Sequence, residues 1–333
     1  MTAPKTRQNL SLQKWVAVIS VLLLIAKFTA YYITHSVSIL TDALESIVNV
    51  SAGFIGLYSL YISAKPRDKD HPYGHGKAEF LSAAIEGTMI GSAGAIIIYK
   101  AVQHFIHPVP LKEIDYGIIL IAATAVVNFI VGFYCLRIGK KNISAALVAS
   151  GKHLQSDGWS TLGIIIGLLL LYFTGYKWID SVVAFGFGIF IILTGYKIVR
   201  SSIAGIMDEA DMELLKQLVT VLNNNRQENW IDMHNLRVIK YGSVLHLDCH
   251  LTVPWYQNVL EAHAEIDALA ALVKKEFGES LELFVHTDAC LPFSCALCSK
   301  LQCNVRKHNF EKKIEWTLEN ISQNKKHELV PLS

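Results

Sequence analysis

Side chains of the kind that ligate metals recur at helical spacing inside apolar sequence. His153 and Asp157 lie four residues apart, just ahead of the apolar run Gly163 to Phe173. Asp42, Glu45 and Asn49 recur at intervals of three and four within the stretch Thr41 to Tyr58. Residues so spaced share one face of an α-helix. An ionisable group at the centre of a membrane helix costs about 2.5–3.5 kcal/mol on insertion scales, so such groups mark function by default. If the two faces meet, Glu45, Asn49, His153 and Asp157 converge on a four-ligand site. Tetrahedral N/O coordination suits Zn²⁺, and harder, oxygen-richer sets lean toward Mn²⁺ or Fe²⁺. Two carboxylates balance a divalent charge, which makes the ion tolerable at membrane depth. The competing reading is interhelical hydrogen-bond glue, and for Asn49 alone the two stand level. Asp42 stands between a proton relay and a hydrated structural residue.

The elements that must carry these residues follow from composition. Of 333 residues, 52% are hydrophobic and 17% charged, against about 25% charged in a soluble domain. Six apolar stretches, 15–34, 37–62, 80–103, 116–137, 145–173 and 180–199, each approach or exceed the roughly 20 residues that span a bilayer. The first follows a polar leader and ends in Tyr31-Tyr32, so it reads as a retained span and not a cleaved signal. Lys5, Arg7 and Lys14 in the leader, Lys65, Arg67, Lys69 and Lys77 after the second span, and Arg137, Lys140, Lys141 and Lys152 around the fourth-to-fifth connection fall on one side. Lys197 and Arg200 join them at the exit of the sixth span, while the other side shows chiefly Lys112 and Lys177. Both termini are therefore expected in the cytoplasm. The net charge of +2 gives no argument for nucleic acid.

From about residue 206 the texture becomes that of a soluble α+β domain. An amphipathic helix over 214–222 precedes a strand at 236–239, a turn at Tyr241-Gly242-Ser243 and an alternating strand at 244–253. A second helix at 260–277 and a strand at 281–286 complete an α-β-β-α-β order. The expected organisation is a leader at 1–12, a six-helix membrane domain at 13–205, a soluble domain at 206–289 and a cysteine-rich polar tail at 290–333. Cys290-x4-Cys295-x2-Cys298-x4-Cys303 in that tail suits a four-thiolate Zn²⁺ site. An iron–sulfur cluster and four unligated thiols are the alternatives, and disulfides fit poorly with a reducing compartment. Cys135 and Cys249, alone in apolar surroundings, read as core residues.

Three motifs in order carry a resemblance: Ser36 through Asn49 (SVSILTDALESIVN), Asp68 through Glu79 (DKDHPYGHGKAE) and His153-Leu-Gln-Ser-Asp157. Over about residues 12–289 the chain resembles the cation diffusion facilitator family. The resemblance implies a homodimeric, six-helix metal/proton antiporter with a metallochaperone-like cytoplasmic domain in a bacterial inner or plasma membrane. In zinc-transporting relatives the fifth helix supplies a His-x-x-x-Asp pair, matched by His153 and Asp157. The second helix supplies two aspartates, or a histidine and an aspartate, where this chain has Glu45 and Asn49. Glutamate moves the carboxylate outward and asparagine removes a charge while keeping an oxygen donor. Zn²⁺ is the first expectation for the cargo, with Fe²⁺, Mn²⁺, Co²⁺ and Cd²⁺ as alternatives.

The resemblance extends to other residues. Asp68, His71 and His75, by spacing either a metal site or a polar loop, match the family's loop site. Lys77 and Asp208 match a structural pair at the mouth of the cytoplasmic domain. His234, His250, His263, His286 and Asp288, which read from sequence alone as scattered surface residues, match a binuclear site in which Asp288 would bridge. Of the rival classes, an intramembrane metalloprotease would need a His-Glu-x-x-His helix, and a pump driven by hydrolysis would need GxxxxGK[ST]. Neither motif occurs. A redox anchor built on the cysteine tail would carry bound iron.

Overall fold

A computed structural model describes residues 4–34, 37–106, 115–174, 178–242, 244–278 and 281–329. The chain divides into two compact units, Met1–Met207 and Asp208–Ser333.

Among the described residues, the first unit contains six long helices: α1 (Pro4–Thr34), α2 (Val37–Ser63), α3 (Ala78–Ile106), α4 (Asp115–Asn142), α5 (Ala145–Thr174) and α6 (Trp178–Ile206). Four described stretches are long and apolar enough to cross a membrane: Arg7–Thr29, Ala78–Gln103, Ala122–Asn142 and Gly188–Ile206. In α2 a shorter apolar stretch, Val50–Ser63, is described. The leader is helical from Pro4, where the polar sequence had suggested a lead-in, because its polar side chains have partners. Asn142 Nδ2 at the end of α4 donates to Asn9 Oδ1 at 2.6 Å and to Gln8 Oε1 at 3.1 Å.

Glycines set the closest helix pairs. A Cβ on Gly195 of α6 would lie 2.6 Å from the Gly87 carbonyl of α3, and one on Gly94 would lie 2.9 Å from the Gly188 carbonyl. The backbones of α3 and α6 therefore nearly touch at two levels, the small-residue packing expected where lipid offers no hydrophobic drive. Gly132 and Gly151 do the same for α4 and α5, where a Cβ on Gly151 would meet the Leu136 nitrogen at 2.8 Å.

The second unit follows the expected order: α7 (Met212–Asn224), β1 (Asp232–Tyr241), β2 (Val244–Val253), α8 (Val259–Phe277) and β3 (Leu281–Ala289). The sheet order is β1-β2-β3, with β1 antiparallel and β3 parallel to β2. The first strand runs longer than its apolar core predicted, because pairing with β2 recruits Asp232, Met233 and His234. Gly242, at φ +60°, makes the turn into β2; Ser243 lies outside the described residues. Leu245, Leu247, Cys249 and Leu251 of β2 are buried with Leu215, Leu218, Val219 and Leu222 of α7 and Leu269 and Val273 of α8.

The segment expected to be a polar tail is instead folded onto this unit. A short 3-10 helix, Pro292–Ala296, leads into irregular chain, and α9 (Leu318–Ile321) follows. Trp316 and Ile321 are buried, and the Arg226 guanidinium lies 4.0 Å over the Trp316 ring. Asn235 donates its backbone N–H to the Gln323 carbonyl at 2.8 Å. No periodicity announces this order, since single buried side chains and backbone contacts produce it.

Candidate metal centre

The structure gathers candidate ligands in three places. On α5, His153 is buried and its Nε2 lies 3.8 Å from Asp157 Oδ2, across one helical turn. The Asp157 carbonyl accepts a hydrogen bond from Thr161 Oγ1 at 2.9 Å. Helix α2 runs through positions 42, 45 and 49, but the side chains of Asp42, Glu45 and Asn49 lie outside the described residues.

A buried polar cluster that sequence reading passed over lies three residues before His153. Ser150 Oγ donates to Glu86 Oε2 on α3 at 3.1 Å. Gln13 Nε2 on α1 donates to Ser150 Oγ at 3.1 Å and to the Gly53 carbonyl of α2 at 3.2 Å. Gly56 lets the α2 backbone close over it, because a Cβ there would sit 2.6 Å from Gln13 Nε2 and 2.9 Å from Glu86 Oε1. Glu79 is likewise buried, accepting from Ser63 Oγ at 3.0 Å and from Ser144. The signal was available: a lone acid within an apolar span is as costly as a paired one.

In the loop between α2 and α3, ligand atoms of Asp68, His71 and His75 lie within 4.8 Å of one another. Asp68 Oδ1 accepts the backbone N–H of His71 at 2.7 Å and of Asp70 at 3.1 Å. His71 Nδ1 stands 3.0 Å from the same oxygen, and His75 Nε2 3.4 Å from Oδ2. Desolvation pulls the Asp68 carboxyl upward, but the His71 N–H, the His71 ring and nearby His75 outweigh it and hold it below its usual range. Gly74, at φ +91°, gives the backbone the turn that brings His75 back. The buried His75 Nδ1 has no hydrogen-bond partner among the described residues. Carboxylate and imidazole donors with an unused ring nitrogen fit a borderline divalent ion.

In the second unit, strand register does what sequence could not. His234 pairs with His250 across β1 and β2, and His250 with His286 across β2 and β3, so three histidines form a row across the sheet. Neighbouring rings lie 4.9 and 4.6 Å apart. Asp288 sits two residues beyond His286, its Oδ2 3.0 Å from His250 Nδ1 and 3.6 Å from His234 Nε2. His234, His250 and Asp288 thus form a second group of ligands within 4.8 Å. Burial holds the His234 imidazole below its usual range despite Asp232 and Asp288. Burial raises the Asp288 carboxyl, but His250, Lys326 and His234 win and lower it. Both groups are therefore poised in the forms that bind metal.

His263 is not brought to this group, contrary to the five-residue expectation. It is well exposed on α8, away from the sheet ligands, and pairs with Asp267 at 3.7 Å. His246, four residues before His250 on β2, is buried 3.4 Å from Glu282. Lys77 Nζ donates to the Ile206 carbonyl at 3.2 Å within the first unit, and Asp208, at φ +58°, opens the second. The four tail cysteines are free thiols, and their sulfurs do not form a group within 4.8 Å.

Comparison with known proteins agrees with the division into units. The cation efflux transmembrane domain matches residues 14–207, and the cytoplasmic domain of cation efflux proteins matches residues 210–290. A Synechocystis protein described as an uncharacterized transporter is 33% identical over 254 residues, 76% of this chain and 82% of its own length. The cation-efflux pump FieF of Citrobacter koseri is 27% identical over 274 residues, 82% of this chain and 90% of its own. That of Escherichia fergusonii is 28% identical over 276 residues, 81% and 89% respectively.

Proposed function

We propose, from the premise that the chain belongs to the cation diffusion facilitator family of cation efflux transporters, that it exports a divalent metal ion, Zn²⁺ foremost, in exchange for protons. The observation that carries this reading is the buried His153 with the half-buried Asp157 one helical turn away on α5. With Glu45 and Asn49 of α2 it would complete a neutral four-ligand site around the cargo. All six long helices would span the bilayer, with both termini in the cytoplasm of a bacterial cell. Rocking of helices about the fixed site would expose it to each side in turn. A neutral imidazole binds metal and an imidazolium does not. Protons arriving from the outer side would discharge the cation at His153, and their loss to the cytoplasm would restore affinity.

The relatives named cation-efflux pumps support the direction of transport. The loop group Asp68, His71 and His75 would bind a further ion. Two chains would associate through the second unit, where His234, His250 and Asp288, with His286 alongside, would hold metal and report its cytoplasmic level. Lys77 and Asp208 would pair as a structural interlock.

Reconstitution into proteoliposomes with Zn²⁺, Fe²⁺, Mn²⁺, Co²⁺ and Cd²⁺ tests the reading. Wild type should move at least one of them, Zn²⁺ fastest. His153→Ala and Asp157→Ala should each abolish transport while leaving the folded protein intact by size exclusion. Asn49→Asp and Glu45→Asp should change the rank order of ions, since the Asn49 change adds a charge to a neutral site. Undiminished transport by both α5 variants would remove the site from the mechanism.

A further inference from the structure

Residues 291–333 lie beyond both matched domains, and the function above leaves their cysteines unused. Between Leu297 and Thr317 the chain has no helix or strand, yet Leu297, Cys298 and Trp316 are buried. A loop-rich segment this short ordinarily needs a staple, either disulfide or metal. All six cysteines are free, and a cytoplasmic domain faces a reducing solution.

Cys290 closes the matched domain and Cys295, Cys298 and Cys303 follow in the segment, and two of the four sulfurs already accept backbone hydrogen bonds. The Trp255 N–H donates to Cys290 Sγ and the Lys307 N–H to Cys295 Sγ, each at 3.4 Å. Such donors stabilise a sulfur that carries negative charge. The Arg306 guanidinium ties the loop together, donating to the carbonyls of Cys295 at 2.9 Å, Cys298 at 3.0 Å and Lys300 at 2.6 Å. The Arg306 guanidinium supplies positive charge beside a site that would carry a net −2 with four thiolates.

We propose that Cys290, Cys295, Cys298 and Cys303 hold a structural Zn²⁺ ion as four thiolates, fastening the C-terminal strap to the metal-binding sheet. Tetrahedral coordination would bring the partly exposed Cys290, Cys295 and Cys303 thiols together with the buried Cys298. Binding exchanges four thiol protons for one divalent ion. The placement gives the ion its purpose. Cys290 follows Asp288 by two residues and donates its N–H to the Val253 carbonyl at 3.0 Å. At the other end of the strap, Lys326 Nζ lies 3.2 Å from Asp288 Oδ1, and His327 donates its N–H to Asp232 Oδ2 at 2.9 Å. The loop therefore fastens one end of a segment whose other end lies against Asp288 and Asp232 of the sheet.

The test uses the full chain in detergent, stripped of metal and reloaded with Co²⁺ or Zn²⁺. Co²⁺ should give a thiolate-to-metal charge-transfer band, and X-ray absorption of the Zn²⁺ form should show sulfur at about 2.3 Å. The band should survive in a His234→Ala, Asp288→Ala double variant and be lost in Cys298→Ser, Cys303→Ser. In wild type alone, Zn²⁺ should block alkylation of the four tail cysteines and chelation should restore it, with Cys135 and Cys249 indifferent to both. This readout needs no variant to fold. An absence of sulfur around the bound metal, alkylation of the tail unaffected by Zn²⁺, or purified protein carrying iron with inorganic sulfide would each overturn the assignment.

Discussion

At Asp211 one carboxylate caps a helix and holds a cation. It accepts the N–H groups of Glu213 at 3.1 Å and Leu214 at 3.0 Å and pairs with Lys240. Burial raises its carboxyl, but Lys240 and the two N–H groups prevail and lower it. A carboxyl with a depressed folded-state value stabilises the fold above its ordinary value, about 3.9, and loses that contribution as pH falls through the folded-state value. Asp211→Asn should cost about 0.2–1 kcal/mol at neutral pH, because it keeps the cap and loses the exposed ion pair. Asp211→Ala should cost about 1 kcal/mol more through loss of the cap. Hydrogen exchange of the first turn of α7 in the full protein reports both, and the difference between wild type and Asp211→Asn should shrink toward zero below about pH 4. A second residue-scale prediction concerns the buried cluster on α1, α3 and α5. Ser150→Ala removes the hydroxyl that donates to Glu86 and should destabilise the membrane unit by about 1–3 kcal/mol. Ser150→Thr should recover most of the loss in the thermal midpoint measured in detergent. His153 and Asp157 were legible because two costly side chains fell one turn apart. Glu86 stands alone in its span and its partners come from other helices, so no spacing in the sequence marks it.

Among elements, α3 and α6 are held by backbone-to-backbone proximity that no larger residue allows. A Cβ at Gly195 would meet the Gly87 carbonyl at 2.6 Å and the Gly91 nitrogen at 2.7 Å, neither of which is a movable side chain. Gly195→Ala should therefore force the helices apart and cost about 1–3 kcal/mol. Gly91→Ala is the control, since a Cβ there meets nothing within 4 Å and a helical glycine-to-alanine change gains about 0.5–1 kcal/mol. Thermal loss of helical circular dichroism in detergent distinguishes them, and equal midpoints would refute the close-packing account. The helices and strands themselves were readable from apolar run length and from alternation in Val244–Val253, because both are local properties. The histidine row across β1, β2 and β3 was not, since register depends on pairing, and so family resemblance had to group those residues. That resemblance also included His263, which the packing of α8 turns outward. The strap from Cys290 to Glu328 has the sequence texture of a polar tail because its order rests on isolated anchors such as Trp316 and Ile321, which carry no period.

For the molecule as a transporter, the proposed coupling has a sign that a single preparation can test. If metal and protons exchange at one site, protons run down their gradient from the acidic to the alkaline compartment. Metal must then move the other way and accumulate on the acidic side. Vesicles with an acidic lumen should take up Zn²⁺ from a neutral bath, and vesicles preloaded with Zn²⁺ and made alkaline inside should expel it. A protonophore should abolish both effects by collapsing the difference. The competition resides in the ligands, because a proton on His153 removes the lone pair that the ion requires. Random orientation of the protein leaves the expected direction unchanged, since exchange at one site is reversible. Asn49→Asp should make transport more dependent on the acidity of the receiving side, because an added carboxylate must be discharged before the ion leaves. Measurement with a lumenal zinc-sensitive dye across a series of imposed gradients gives the dependence directly. Uptake that ignores the gradient's size and direction would leave a metal channel or uniporter in place of the antiporter.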